Sequence, residues 1–295
     1  MNKLLFIINP NSGKKDSKTK LLDAFVEFSN AGYTVEVFCT LKAGDCLNKC
    51  RDHGSEYDIV VVSGGDGTVN EATNGLMACV GKKPLLGYIP AGTMNDFSCN
   101  FGLTNSFKET SKKIMDGRTA DFDVGSINGR YFNYVVGIGA FTNVSYDTDR
   151  ELKSNIGDAA YILTALGEVV NLRPIQTKVT MDNDVFEGKI SMLLIVNGYR
   201  VSGIDMVEKK EDLMNDGVFD IILVEWKENP IEFIASPILV MHPEWTNVST
   251  VKRYKSSTIK VETEEFTEWT IDGEKGDKTK VAEIKNIPSA LKILY

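Results

Sequence analysis

The sequence lacks a long apolar run and lacks a basic block. A membrane-spanning helix needs about 20 consecutive apolar residues. The most apolar stretches here are residues 190–196 and 233–241, and Ser236 and Pro237 interrupt the second. The net charge is −8, which argues against binding to duplex nucleic acid, because neutralisation of phosphates supplies most of that affinity. We therefore expect neither a transmembrane segment nor a nucleic-acid partner.

Cysteine and histidine are also scarce. The chain has five cysteines, no C-x-x-C motif, and only His53 and His242 to assist a zinc site. This pattern predicts reduced thiols rather than disulfides or a metal centre. The first ten residues, MNKLLFIINP, have too short an apolar segment for a signal peptide. The sequence thus predicts a cytoplasmic protein.

Three familiar phosphate-binding motifs are missing. The chain has no G-x-x-x-x-G-K-[ST] segment, and Asn70 stands where a dinucleotide fingerprint beginning at Gly65 would have its third glycine. The H-R-D catalytic loop of protein kinases is absent as well. Any phosphate site must therefore use another scheme.

The hydrophobic pattern divides the chain near residue 122. Before that point, short apolar strands alternate with helices, which predicts a mostly parallel sheet. After it, extended segments are joined by turn signals such as Asn128-Gly129, which predicts an antiparallel sandwich. One helix is expected at residues 157–171 and a shorter one after Pro230. We predict an α/β fold with a Rossmann-like domain at 1–122, completed by 286–295, and a β-sandwich domain at 123–285.

The most informative segment is Gly64-Gly65-Asp66-Gly67-Thr68, between a predicted strand and a predicted helix. Glycines let the backbone approach a phosphate closely, and the first turn of the helix attracts an anion. The carboxylate of Asp66 would repel phosphates unless a cation intervened, which suggests Mg²⁺. The alternative is an ordinary turn in which Thr68 caps the helix.

Two further polar loops follow predicted parallel strands. Residues 9–15, NPNSGKK, follow the first strand, and residues 90–97, PAGTMNDF, follow the fourth. Since the carboxyl ends of parallel strands open on one side of a sheet, the three loops would surround one crevice. Each loop alone could be a simple turn, with Asn95 and Asp96 as a helix N-cap pair.

Together, N-P-x-S-G, G-G-D-G-T and G-T-x-N-D-F make the chain similar to the diacylglycerol kinase family, in its soluble bacterial branch. The resemblance implies a nucleotide site formed by residues of these three loops: Asn9, Ser12, Gly13, Gly65, Asp66, Gly67, Thr68, Thr93 and Asn95. It also implies that Asp96 joins an acidic network and that Asp123 matches an aspartate that the family carries just after the first domain, with Asp121 as a bystander. Asp66, Asp96 and Asp123 are therefore expected among the catalytic residues.

Two later segments complete the resemblance. In Asp272-Gly273-Glu274, the family pattern implies that Glu274 is the general base, with Asp272 beside it; a plain hairpin turn is the alternative. Asp216 matches an aspartate that binds a structural Mg²⁺ in the family, although Leu213 stands where a second acidic ligand is expected and Asp212 is one position away.

These features predict a lipid kinase that uses ATP and Mg²⁺ to phosphorylate diacylglycerol or a related lipid during peripheral contact with the membrane surface. The alternatives are an NAD kinase-like enzyme for a soluble metabolite and a non-catalytic nucleotide or lipid sensor. The sequence leaves open which lipid is used and whether the chain forms a homodimer.

Overall fold

The computed structural model describes residues 2–12, 17–139, 173–209, 214–228 and 250–295. Gly13, Asp212 and Leu213 lie outside these ranges. The helices expected at 157–171 and after Pro230 also lie outside them. None of the helices in the described ranges is long and apolar enough to cross a membrane.

The N-terminal part is a parallel sheet with strand order β2-β1-β3-β4. Its strands are β1 (Asn2–Ile8), β2 (Tyr33–Cys39), β3 (Ile59–Gly64) and β4 (Leu85–Pro90), and its helices are α1 (Ser17–Asn30), α2 (Asp45–His53), α3 (Asp66–Ala78), α4 (Asp96–Cys99) and α5 (Phe107–Asp116). β1, β3 and β4 are buried on both faces along most of their length, as their continuous apolar sequences predict, whereas the edge strand β2 has no fully buried residue.

Alternate residues of β1 show why helices cover both faces of this sheet. Leu4 and Phe6 pack into the cluster that includes Phe28 of α1, whereas Leu5 and Ile7 pack into the cluster on the opposite face. Phe6 makes an edge-on ring contact with Phe28 at a centroid distance of 5.4 Å. The sheet is therefore the middle layer, and its loops project only from the strand ends.

The C-terminal part is built from antiparallel strands. They are β5 (Thr119–Ile127), β6 (Arg130–Phe132), β7 (Val135–Gly139), β8 (Ile175–Met181), β9 (Val185–Val196), β10 (Arg200–Val201), β11 (Ile204–Asp205), β12 (Phe219–Glu225), β13 (Val251–Ser256), β14 (Thr258–Ile271) and β15 (Glu274–Leu294). The pairings β14–β8, β8–β9, β9–β7 and β7–β14 form a closed circuit around an apolar core. The β-rich second half was predicted correctly.

Turn residues occur where the sequence predicts them. Asn128 and Gly129 both have positive φ angles, 47° and 87°, and connect β5 to β6 in a two-residue hairpin. Asp272 and Gly273 do the same between β14 and β15, with φ angles of 47° and 78°. Strand β14 runs without interruption from Thr258 to Ile271, with a register shift against β15 between Glu262 and Thr267.

The long strand β15 joins the two halves. Its first part pairs with β14, and its second part, from Ile284 to Leu294, pairs with β5. Its last residues, Ile293 and Leu294, also pair in parallel with β4. The apolar C-terminal tail therefore returns to the N-terminal sheet. This connection sets the β14–β15 hairpin opposite the strand ends of the parallel sheet.

Candidate active site

The three motif loops meet at the carboxyl edge of the parallel sheet. Asn9 Nδ2 donates to Thr68 Oγ1 at 3.1 Å, which joins the first loop to the second. The backbone N–H of Ala91 donates to Gly64 O at 2.7 Å, which joins the second to the third. A methyl group placed on Gly92 would lie 2.6 Å from the Cα of Gly65, so position 92 needs glycine for this close approach.

Helix α3 starts at the G-G-D-G-T segment itself. It begins at Asp66, and the N-cap residue Gly65 is extended and provides no side-chain cap. Thr68 lies within the first turn and its hydroxyl accepts from Asn9, so the alternative that Thr68 caps the helix is wrong. The uncapped first turn suits an anion, because its N–H groups and the helix dipole point toward the crevice.

The remaining loop residues differ in their exposure. Ser12 folds back on its own loop, with its hydroxyl donating to Asn9 O at 2.8 Å. Asn95 is buried with a φ of 54°, and its amide group accepts from the N–H of Gly92 and donates to the Gly92 carbonyl. The Asn95 side chain makes no capping hydrogen bond to α4, so it shapes the loop. Thr93 is exposed.

Asp66 and Asp96 are directly connected. The carboxylate of Asp66 accepts from the backbone N–H groups of Asp96 and Phe97, both at 3.2 Å. Burial, followed by the charge of Asp96, raises the pKa of Asp66 to about 7. The carboxylate of Asp96 accepts from the N–H groups of Ser202 at 2.6 Å and Gly203 at 2.9 Å. Burial also raises the pKa of Asp96, against the effect of these hydrogen bonds.

Asp272 is held in a cage of donors contributed by both halves of the chain. Its carboxylate accepts from the N–H groups of Asn133 (2.6 Å), Tyr134 (3.0 Å) and Val135 (3.0 Å), and from Asn70 Nδ2 of α3 at 2.8 Å. Only 3% of the residue is exposed. Its burial raises the pKa of Asp272 even though these donors favour the charged form. This arrangement fixes the hairpin against the parallel-sheet half.

Glu274 follows the same hairpin but is exposed. A methyl group placed on Gly67 would lie 3.3 Å from Glu274 Oε1, so this carboxylate lies over the first turn of α3. Asp272-Gly273-Glu274 is therefore a tight turn that also places a carboxylate beside the glycine-rich loop. The hairpin turn and the functional carboxylate, given as alternatives from the sequence, are thus compatible.

Asp123 lies in a different hydrogen-bond network. Its carboxylate accepts from the N–H groups of Gly217 and Ser289, both at 2.8 Å, and its carbonyl accepts from Asn197 Nδ2 at 2.8 Å. The side chain is fully buried. These bonds connect β5, β15 and the turn before β12, which favours a structural role for Asp123.

The Asp216 carboxylate forms an ion pair with a lysine. Lys255 Nζ lies 3.2 Å from Asp216 Oδ2 and 3.0 Å from Asp220 Oδ2. The other oxygen of Asp216 accepts from the N–H of Val218. An ammonium group between the two carboxylates does not fit a magnesium site built on Asp216.

The carboxylates at the motif loops fit Mg²⁺ better than Asp216 does. No group of three or more potential metal-ligating side chains comes together in the described ranges. Mg²⁺, however, is usually bound through one or two carboxylates together with phosphates and water, rather than by an all-protein cage. Asp66 and Asp96 offer hard oxygen ligands, and because burial raises the pKa of both carboxyl groups, a cation beside them would offset the cost of their buried charge.

Three residues near the crevice were missed by the sequence reasoning. Asn70 binds Asp272, Arg200 lies 3.8 Å from Asp96, and Tyr134 is buried beside Gly273. The charges of Asp66, Asp96 and Asp272 all act on the Tyr134 hydroxyl, whose pKa burial raises well above its ordinary value. Asn70 follows the G-G-D-G-T motif closely enough to be suspected, but the other two have no local signal.

Comparisons with known proteins agree with this architecture. Residues 3–127 match the diacylglycerol kinase catalytic domain, and residues 134–295 match the YegS C-terminal NAD kinase beta sandwich-like domain. Diacylglycerol kinase of Bacillus subtilis (strain 168) is 32% identical over 94% of this chain and 91% of its own length. The corresponding protein of Staphylococcus epidermidis is 33% identical over 92% of this chain and 85% of its own.

A crystal structure of a diacylglycerol kinase from Bacillus anthracis str. Sterne superimposes with a TM-score of 0.76 at 25% identity, covering 100% of this chain and 97% of that one. A second structure from the same strain, assigned to this enzyme class only provisionally, gives 0.84 at 28% identity and the same coverage. Together with the matched domains and the convergence of the motif loops, these similarities show that the chain belongs to the diacylglycerol kinase family and is a lipid kinase.

Proposed function

We propose that the protein transfers the γ-phosphoryl group of ATP, with Mg²⁺, to a hydroxyl group of diacylglycerol or a related lipid. The observation that carries this proposal is the position of Glu274 over Gly67. An exposed carboxylate from the β-rich half thereby faces the helix end at which phosphates would bind. A lipid hydroxyl entering between them would lose its proton to Glu274 as it attacks the phosphorus atom.

The nucleotide would bind at the three motif loops. The first turn of α3 and the glycines before it would hold the phosphates, and Asn9 would keep the first loop in place through Thr68. Mg²⁺ would be held by Asp66, together with Asp96 and phosphate oxygens, and would neutralise charge on the phosphates. Catalysis in this scheme depends on positioning and electrostatics, with no covalent intermediate.

We further propose that the two halves divide this work. Residues 1–122 with 286–295 would bind the nucleotide, and residues 123–285 would bind the lipid, which the enzyme would meet at a membrane surface. Asp272 supports this division because it bonds to both halves and so holds Glu274 at their junction.

A second candidate is phosphorylation of a soluble metabolite such as NAD. The description of the second matched domain as NAD kinase beta sandwich-like favours testing it. The purified chain should be incubated with ATP and Mg²⁺ and given either dioleoylglycerol in mixed micelles or NAD. Phosphorylated lipid without phosphorylated NAD is the expected result. Turnover of NAD alone would replace the proposal, and nucleotide binding without turnover of either would indicate a sensor.

The base is tested by Glu274→Gln, which keeps the size of the side chain but removes the proton acceptor. We expect turnover to fall by about 10²–10⁴-fold, the usual contribution of a general base, while nucleotide affinity is retained. The matched control is Glu283→Gln, an exposed glutamate on the same strand that should keep full activity. If Glu274→Gln keeps more than about a tenth of the turnover, the base lies elsewhere.

A further inference from the structure

A small hairpin from the β-rich half lies against the third motif loop. It consists of β10 and β11, and at its tip Ser202 and Gly203 donate their N–H groups to the two oxygens of Asp96. Just before the hairpin, the Tyr199 hydroxyl donates to Cys99 O of α4 at 3.1 Å. The hairpin is thus fixed at the rim of the crevice.

Arg200 begins this hairpin, and its guanidinium group is incompletely paired. Its Nη1 donates to Asp205 Oδ1 at 3.3 Å. Its Nε is buried, has no hydrogen-bond partner, and lies 3.8 Å from Asp96 Oδ1, which is too far for a hydrogen bond. About a third of the side chain, 34%, is exposed. A buried charged donor without an acceptor is costly, and an anionic oxygen beside it would remove that cost.

The charges near the motif loops also draw attention to Arg200. Asp66, Asp96 and Asp272 are acidic groups whose pKa values are raised by burial. Among the ion pairs of the described ranges, only that of Arg200 reaches any of these three carboxylates. Phosphoryl transfer needs positive charge beside the equatorial oxygens of the transferred group. The planar fork of an arginine suits these oxygens better than a lysine does.

We propose that Arg200 binds the phosphoryl group that is being transferred. The same oxygens would belong to the γ-phosphate of ATP before the reaction and to the phosphorylated lipid after it. The guanidinium would use its Nε–H, which is unpaired beside Asp96, and keep its contact with Asp205. This inference rests on the proposal that ATP is the phosphoryl donor.

A purely structural role would have a different signature. If Arg200 only closed the hairpin through its pair with Asp205, loss of either partner would have the same effect. Asp205→Asn removes that ion pair but leaves the guanidinium in place. The two explanations are therefore separated by comparing Arg200→Met with Asp205→Asn.

The test measures affinities of the full chain, with Mg²⁺, for a non-hydrolysable ATP analogue, for ADP and for a short-chain phosphatidate. We expect Arg200→Met to weaken binding of the ATP analogue by about 10- to 100-fold with ADP spared, because a hydrogen bond to a charged group has that effect. Arg200→Lys should show an intermediate loss. Asp205→Asn and the surface control Arg51→Gln should bind as the unaltered protein does.

The ligands distinguish the sources of the phosphoryl group. A loss for the ATP analogue assigns Arg200 to the γ-phosphate, and a loss confined to phosphatidate assigns it to the product; both support the proposal. Equal losses for ADP and the analogue, no loss for either phosphoryl ligand, or the same loss in Asp205→Asn would overturn it. If Arg200→Met fails to fold, Arg200→Lys decides by the same ratio. Failure of the unaltered protein to bind any nucleotide would instead refute the proposed function, and this inference with it.

Discussion

Replacing Asp272 by asparagine should destabilise the protein, because its carboxylate is the acceptor for four donors. Oδ1 accepts from the N–H groups of Tyr134 and Val135, and Oδ2 accepts from the N–H of Asn133 and from Asn70 Nδ2. Asparagine keeps one oxygen but replaces the other by an NH₂ group. Two buried donors would then face a donor instead of an acceptor.

The structure allows the size of this effect to be worked out. A buried donor that loses its acceptor costs about 1–3 kcal/mol, so two of them should lower the free energy of unfolding by roughly 2–6 kcal/mol. The backbone adds no further cost, because asparagine tolerates the left-handed conformation that Asp272 adopts at a φ of 47°. For a chain of this size, the midpoint of thermal unfolding should fall by at least about 4 °C.

Thermal unfolding followed by circular dichroism measures this change, and Glu274→Gln is the matched control. Glu274 is two residues away in the same hairpin, yet it is exposed. We expect its substitution to leave the unfolding midpoint unchanged and to remove turnover, whereas Asp272→Asn should lower both. A midpoint for Asp272→Asn within about 1 °C of the unaltered protein would refute the donor cage, since even one orphaned donor costs more than that.

Two further predictions concern the glycine-rich loop. Gly67→Ala should keep or raise the unfolding midpoint, because alanine is the better helix former by about 1 kcal/mol. It should nevertheless lower turnover roughly tenfold or more, because the new methyl group lies 3.3 Å from Glu274 Oε1 and a displaced base loses rate steeply. Full turnover would show that Glu274 does not act from this position. The raised pKa of Asp66 means that the folded protein binds a proton more tightly than the unfolded chain, so its contribution to stability is complete below pH 3.8 and is lost as the pH rises to about 7. Without Mg²⁺, the midpoint should therefore fall more over this range than it does in Asp66→Asn, and identical slopes in melts from pH 4 to pH 7 would contradict this.

Much of the fold could be predicted from local pattern. The buried strand β3 is a run of apolar residues, the turn after β5 is Asn128-Gly129, and α1 presents a regular apolar stripe. Each of these signals involves residues close together in sequence, so it can be read without knowledge of the tertiary fold. The convergence of the three loops also follows from topology, because parallel strands end at one edge.

The contacts between distant segments could not be predicted in this way. The Asp96 carboxylate accepts a hydrogen bond from Ser202, at the tip of a hairpin more than a hundred residues later. The Asp123 carboxylate accepts from the N–H groups of Gly217 and Ser289. Nothing in the local sequence of Asp123 distinguishes an aspartate that accepts structural hydrogen bonds from one that faces a substrate. Family resemblance identifies which aspartates recur, whereas hydrogen bonding and burial decide what each can do.

The hairpin at residues 272–274 shows why a turn and a functional motif need not exclude each other. A two-residue turn with both residues in the left-handed region reverses the chain sharply, so the side chains on either side of its glycine are free to go to different places. Asp272 turns inward and fixes the hairpin to α3 through Asn70, and Glu274 projects over Gly67. The buried carboxylate provides the rigid support that the exposed one needs for a defined position, and a general base is effective only where its position is defined. The tight turn is therefore the means by which the β-rich half places a carboxylate beside the glycine-rich loop.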